Sequence, residues 1–207
     1  MAISDKILKR IKGYGRSGKV FTPPDFVDLG SRAAVDQALS RLARAGHLRR
    51  VGRGLYDWPR HSQLLGRDAP ADVGDVVKAV GRRANLRTAP DNAAAANALG
   101  LTTAVWARPT YVADRKVSDR DAGGARVRFA PIGAKLAPLL DTDAAIIVQA
   151  LAWARDSGFD LGDAARTIRR RASANAKAAL AANLRRLPVW ALAPAREIIV
   201  NRGMGDV

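Results

Sequence analysis

The chain has no cysteine among its 207 residues, so a disulfide framework, a thiolate nucleophile and a cysteine-ligated zinc site are all excluded. Aromatic residues make up only 5%, and the core is therefore expected to be built from Ala, Leu, Val and Ile. No run of about eighteen apolar residues occurs, which leaves no candidate membrane span. The start, Met1-Ala2-Ile3-Ser4-Asp5-Lys6, lacks the apolar stretch of a secretion signal, so a cytoplasmic protein is expected. Histidine is scarce as well. His47 and His61 are the only two, and neither stands in a metal-binding or nucleophile–base spacing. Asp141 with Asp143, and Asp114 with Asp119 and Asp121, are placed beside turns, where such residues cap helices or solvate loops. No metal, cofactor or catalytic site is expected from these patterns.

What the chain has in excess is positive charge, with a formal net of +16. The first sixty residues hold 13 Lys and Arg against 5 Asp and Glu, more than twice the net density of the remainder. Such an excess attracts polyanions, and neutralising phosphates gains free energy by releasing counterions.

The order of elements in this basic segment narrows the kind of polyanion. Ser4 and Asp5 open a short helix through Ile7, Leu8 and Ile11, ending at Gly13 and Gly15. Lys19 to Phe21 reads as a strand, and Thr22-Pro23-Pro24-Asp25 opens a second helix stopped by Gly30. Ser31 caps a third, with Val35, Ala38, Leu39 and Leu42 on one apolar stripe. Facing away from that stripe are Arg32, Ala33, Asp36, Gln37, Ser40, Arg41 and Arg44. Arg32 and Gln37 suit guanine and adenine edges, whereas Arg41 and Arg44 suit phosphates. After Ala45-Gly46, His47 to Asp57 reads as two strands around a Gly52-Arg53-Gly54 tip, carrying Arg49, Arg50 and Arg53. Helix, strand, short helix, helix, basic hairpin is the order of a winged helix-turn-helix.

Gly13-Tyr14-Gly15-Arg16-Ser17-Gly18 matches G-x-G-x-x-G, and Gly13 to Lys19 matches most of a phosphate-binding loop. Those loops need a strand before the glycines and a helix after them. Here the order is reversed and Val20 stands where the magnesium-binding Ser or Thr would be, so a tight turn is expected instead.

Beyond Arg60, the stretch from His61 to Pro70 reads as a polar connection. Helices are expected over Asp72 to Arg83, Asp91 to Leu99, Asp143 to Asp156, Leu161 to Arg171 and Asn175 to Arg186. Arg108 to Ala113 and Ala125 to Ala130 read as a hairpin joined by a charged turn with Gly123-Gly124, and Ile198 to Val200 as a terminal strand. Arg166, Arg169, Arg170, Arg171, Arg185 and Arg186 form a second basic cluster, a solvated face or a further contact with DNA or an acidic partner. The expected fold class is α+β, mainly helical, with a DNA-binding domain over 1–60 and a mostly helical domain with a short β-hairpin over 61–207.

Three segments carry a family resemblance: Val20-Phe21-Thr22-Pro23-Pro24-Asp25-Phe26; Ser31 to Leu42; and Gly46 with Arg50-Val51-Gly52-Arg53-Gly54-Leu55-Tyr56. Together they resemble the N-terminal domain of AbiE-type abortive-infection antitoxins, the type IV toxin–antitoxin regulators. Ala93 to Thr103 followed by Tyr111-Val112 resembles the start of their C-terminal domain. The resemblance implies a repressor that binds inverted repeats in its own promoter as a pair of molecules and counteracts a nucleotidyltransferase toxin. Two rival readings remain: a nucleoid or RNA-binding protein, and a phosphate-handling enzyme using Gly13 to Lys19 with the Asp clusters. Few aromatics in the basic segment disfavour an RNA stacking platform.

Overall fold

A computed structural model describes residues 2–15, 17–104, 108–122 and 125–200. The protein is α+β, about half helical, with small sheets. In chain order the first elements are α1 (Ile3–Gly13), β1 (Val20–Phe21), a 3₁₀ helix (Pro23–Leu29), α2 (Arg32–Arg44), β2 (Arg49–Gly52), β3 (Leu55–Asp57), β4 (His61–Ser62), β5 (Arg67–Asp68) and α3 (Val73–Ala84). There follow β6 (Thr88–Pro90), α4 (Asn92–Ala98), β7 (Thr110–Ala113), β8 (Arg120–Ala122), β9 (Ala125–Pro131) and a 3₁₀ turn (Ala137–Asp141). The chain then runs through α5 (Ala144–Asp156), α6 (Leu161–Arg171), α7 (Ala174–Ala182), a 3₁₀ turn (Leu184–Arg186) and α8 (Val189–Ile199). Among the described residues no helix is long and apolar enough to cross a membrane.

Two compact units share these elements. The first comprises Met1–Leu86 with Asp119–Val127, the second Arg87–Ser118 with Arg128–Val207. The first unit therefore reaches past the division expected at Arg60 and regains a hairpin from much later in the chain.

In the first unit α1 starts where the Asp5 carboxylate accepts the Ala2 N–H at 3.1 Å, and it buries Ile7 and Ile11. The segment after Thr22 is a 3₁₀ helix. Pro23 and Pro24 bring no N–H to its start and Gly30 ends it after seven residues, so it stays in the tighter 3₁₀ form. Ser31 Oγ accepts the Ala34 N–H at 3.3 Å and caps α2, whose apolar stripe Val35, Ala38, Leu39 and Leu42 is fully buried, as its spacing requires. Gly46 ends the helix with φ +76°, which lets the N–H groups of His47 and Leu48 return to the Leu42 carbonyl. The stripe packs with Ile7, Ile11, Phe21, Phe26, Leu48 and Tyr56 into one core. The sheet of this unit has the order β1-β3-β2, antiparallel throughout. Residues 61–68, expected as a plain connection, form the β4–β5 hairpin.

In the second unit α4 to α8 enclose an Ala- and Leu-rich core that includes Leu99, Ile147, Leu151, Ile168, Leu180 and Ile198. Its sheet pairs β6 antiparallel with β7, and β7 with residues 128–131 of β9. Three expectations are corrected here. β7 and β9 are parallel neighbours, not the two arms of a hairpin; the hairpin is β8 with the start of β9, its tip at Gly123-Gly124 lying outside the described residues. Ile198 and Ile199 close α8 instead of forming a strand. Ala191, Ala195 and Ile198 recur at helical spacing and are buried, which the three-residue apolar run alone conceals. The helix expected over 175–186 also breaks at Asn183 into α7 and a 3₁₀ turn.

Candidate nucleic-acid interface

Burial of one stripe of α2 turns Arg32, Ala33, Asp36, Gln37 and Arg41 outward, with Ser40 half-buried beside them. Arg32 Nε donates to Asp36 Oδ2 at 3.0 Å, an exposed i,i+4 pair that holds the guanidinium along the helix. Arg44 donates to Ser40 Oγ at 3.3 Å in the next turn. Gln37 and Arg41 are exposed on the same face, with an amide and a guanidinium directed to solvent. Ser31, at the start of the helix, spends its hydroxyl oxygen on the cap.

The hairpin β2–β3 stands in the same unit. Arg50 is exposed and its Nε lies 3.4 Å from the Gly52 carbonyl, where the register slips by a bulge. Arg53 is exposed at the tip, and Gly54 follows it with φ +67°, a conformation that favours glycine. Arg49 does not join this surface. Its nitrogens bind both carboxylate oxygens of the buried Asp57, at 3.0 and 2.5 Å, and the Ala69 carbonyl at 2.8 Å. The hydrogen bonds that Arg49 donates to Asp57 raise its pKa above the ordinary value, against the opposing effect of burial.

Two cations absent from the sequence reading complete the site. Arg83, at the end of α3, donates from Nη1 to the Arg53 carbonyl at 2.5 Å and lies so close over Gly54 that a Cβ there would meet it. Burial, and then the charges of Arg120, Arg32 and Arg53, push the Arg83 guanidinium below its ordinary pKa. Arg120 enters on β8, which packs against both α3 and β2; the Asp121 carbonyl lies beside Gly52. Thirty or more residues separate these cations along the chain, so no periodicity or motif could have brought them together.

The other candidates take different places. The glycine-rich segment from Gly13 follows a helix and leads into β1, with Gly15 at φ +62° and Gly18 at φ +86°; Arg16 lies outside the described residues. Lys19 Nζ sits 3.6 Å from the Tyr14 ring centroid, a cation–π contact within the turn. His47 is exposed, and His61 lies 3.9 Å from Asp68 across the small hairpin. Asp119 pairs with Arg126 and Asp141 with Arg87, and among the described residues no three His, Cys, Asp or Glu side chains gather as a metal site. Within the second unit the arginine cluster disperses. Arg166 pairs with Asp163, and with Arg169 it lines a shallow cavity that also holds Glu197. Arg170 contacts Thr167, Arg171 packs against Gly100, Arg186 donates to Asn183 and Arg185 is exposed.

The sequence model of DUF6088, described as a family of unknown function, matches residues 6–172. A crystal structure of the RV2827C protein from Mycobacterium tuberculosis aligns with a TM-score of 0.45 and 17% identity, over 99% of this chain and 83% of that one. No curated protein sequence matches the chain.

Proposed function

The chain belongs to the DUF6088 family, and we propose that it is a sequence-specific DNA-binding repressor that reads duplex DNA with a winged helix-turn-helix formed by α1 to β3. The observation that carries this reading is the pairing of two cationic elements in one small unit. A capped helix shows Gln37 and Arg41 to solvent, and a hairpin carries Arg50 and Arg53 at its exposed end. Strand order β1-β3-β2, with three helical segments ahead of the hairpin, supports the winged arrangement. An α-helix of this size fits the major groove, where amide and guanidinium groups distinguish base pairs, and the hairpin then falls on neighbouring backbone.

The face carries no aromatic side chain from Arg32 to Arg44 or from Arg49 to Gly54, which favours duplex DNA over a single-stranded RNA platform. One α2 covers only a few base pairs, so two molecules on an inverted repeat are required for useful specificity. The role against a nucleotidyltransferase toxin rests on the resemblance to AbiE-type antitoxins alone and is tested by co-expression with a neighbouring nucleotidyltransferase.

The test of DNA reading is a titration of purified protein against its own promoter region and against a scrambled duplex at one fixed salt concentration. Preference for the promoter by a factor of about a thousand or more is expected. Equal binding to both would replace the repressor by a nucleoid-type protein, and absence of binding to either would remove the reading.

A further inference from the structure

Three arginines are brought to the hairpin tip by separate elements: Arg53 by the β2–β3 turn, Arg83 by α3 and Arg120 by β8, which packs on both α3 and β2. Of the acidic residues nearby, Asp36 pairs with Arg32 along its own helix, Asp119 pairs with Arg126 on the hairpin arm, and Asp121 alternates to the other face of β8 from Arg120. Arg83 is committed through one nitrogen to the Arg53 carbonyl, and no carboxylate bonds to it among the described residues. Each added like charge is unfavourable, so a cluster of this kind favours a bound anion.

We infer that Arg83 and Arg120, with Arg53, form a binding site for a single phosphate group, an inference that rests on the DNA-binding reading in taking that phosphate to be one of the duplex backbone. Arg83 is held in place before any ligand arrives, by its bond to the Arg53 carbonyl and by its seat over Gly54. A guanidinium fixed in this way offers its remaining N–H groups to phosphate oxygens with little ordering left to do. Arg120 is brought near by β8, which packs on both α3 and β2. The contact therefore draws on residues 119–127, well outside the segment that carries the helix-turn-helix.

The experiment measures binding of the full-length protein to a promoter duplex and its dependence on salt, for wild type, Arg120→Ala, Arg83→Gln and Arg67→Ala. Arg83→Gln keeps an amide donor near the Arg53 carbonyl while removing the charge. Arg67→Ala removes an exposed charge from β5 of the same unit, outside the site, and thermal unfolding checks that each variant is folded. Arg120→Ala and Arg83→Gln are each expected to weaken binding about tenfold and to lower the salt slope by about one, with Arg67→Ala close to wild type. If the two variants bind like Arg67→Ala while wild type binds the duplex, the phosphate site is overturned and the DNA reading stands. If wild type binds no duplex, the DNA reading fails, and inorganic phosphate followed through the arginine Nε–H NMR signals decides the site. Shifts that vanish in Arg120→Ala support it, and their absence in wild type overturns it.

Discussion

Arg49 on β2 clasps Asp57 on β3 through two parallel hydrogen bonds, and Asp57 is buried while Arg49 is only partly so. The pair sits directly opposite in the strand register, and its third bond, to the Ala69 carbonyl, ties the chain beyond β5 to the sheet. It serves the fold, whereas Arg53 a few residues away serves the surface.

Arg49→Ala is accordingly expected to cost up to about 3 kcal/mol of stability, because it strands a buried carboxylate. Arg53→Ala is expected to leave stability within about 0.5 kcal/mol. Urea unfolding of the two variants, beside their DNA affinities at two salt concentrations, separates the roles. Equal loss of stability in both would dissolve the distinction.

On α2, Gln37→Ala is expected to relax discrimination at one base pair by about 1–3 kcal/mol while binding to random duplex stays the same. Arg41→Ala is expected to weaken all sequences alike. A binding assay over all single-base variants of the operator reads the difference. Arg32 was the more obvious reader on residue type, but its bond to Asp36 makes Gln37 the better-exposed probe.

The capping residue Asp25 gives the first unit an acid sensitivity. Burial opposes its ionisation, yet hydrogen bonds from Arg82 and from the Thr22 N–H and hydroxyl prevail and hold its pKa below the ordinary value. A group depressed in this way contributes its stability fully above the unfolded carboxylate value of about 4 and loses it as pH falls through the folded value. Asp25→Asn is expected to cost about 1 kcal/mol at neutral pH. Its difference from wild type should shrink toward zero as pH falls through the lowered folded value. Unfolding free energies measured from pH 7 downward check this, and a difference that stays constant with pH would refute it.

Truncation supplies the fourth test. Arg82 on α3 donates to the Val20 carbonyl at 2.8 Å and to Asp25, and Arg49 needs the Ala69 carbonyl. A fragment of residues 1–60 lacks both supports, so it is expected to melt well below a fragment of residues 1–86. Identical melting temperatures would mean that α3 adds nothing to the reader.

Much of the first unit was legible because its signals are local. The spacing of Val35, Ala38, Leu39 and Leu42, the Ser31 cap and the Gly46 stop act within a few residues of one another, and each appears in the structure as its spacing requires. The second unit hid more. β7 finds a parallel partner in β9 across an intervening excursion, a pairing decided by tertiary contact that no alternation pattern reports. The candidate site divides along the same line. Gln37 and Arg53 declare themselves by face and turn, whereas Arg83 and Arg120 join them only through folding.

The return of Asp119–Val127 to the first unit also sets an order in time. On the ribosome, residues 1–86 emerge on the order of seconds before that hairpin does, since synthesis proceeds at about 5–20 residues per second. The nascent reader thus stands for an interval with α2 and its wing but without Arg120. On the proposed reading, full grip on a polyanion would arrive only after residues 87–118 have been made, which would leave the growing chain a weaker nucleic-acid binder than the finished protein.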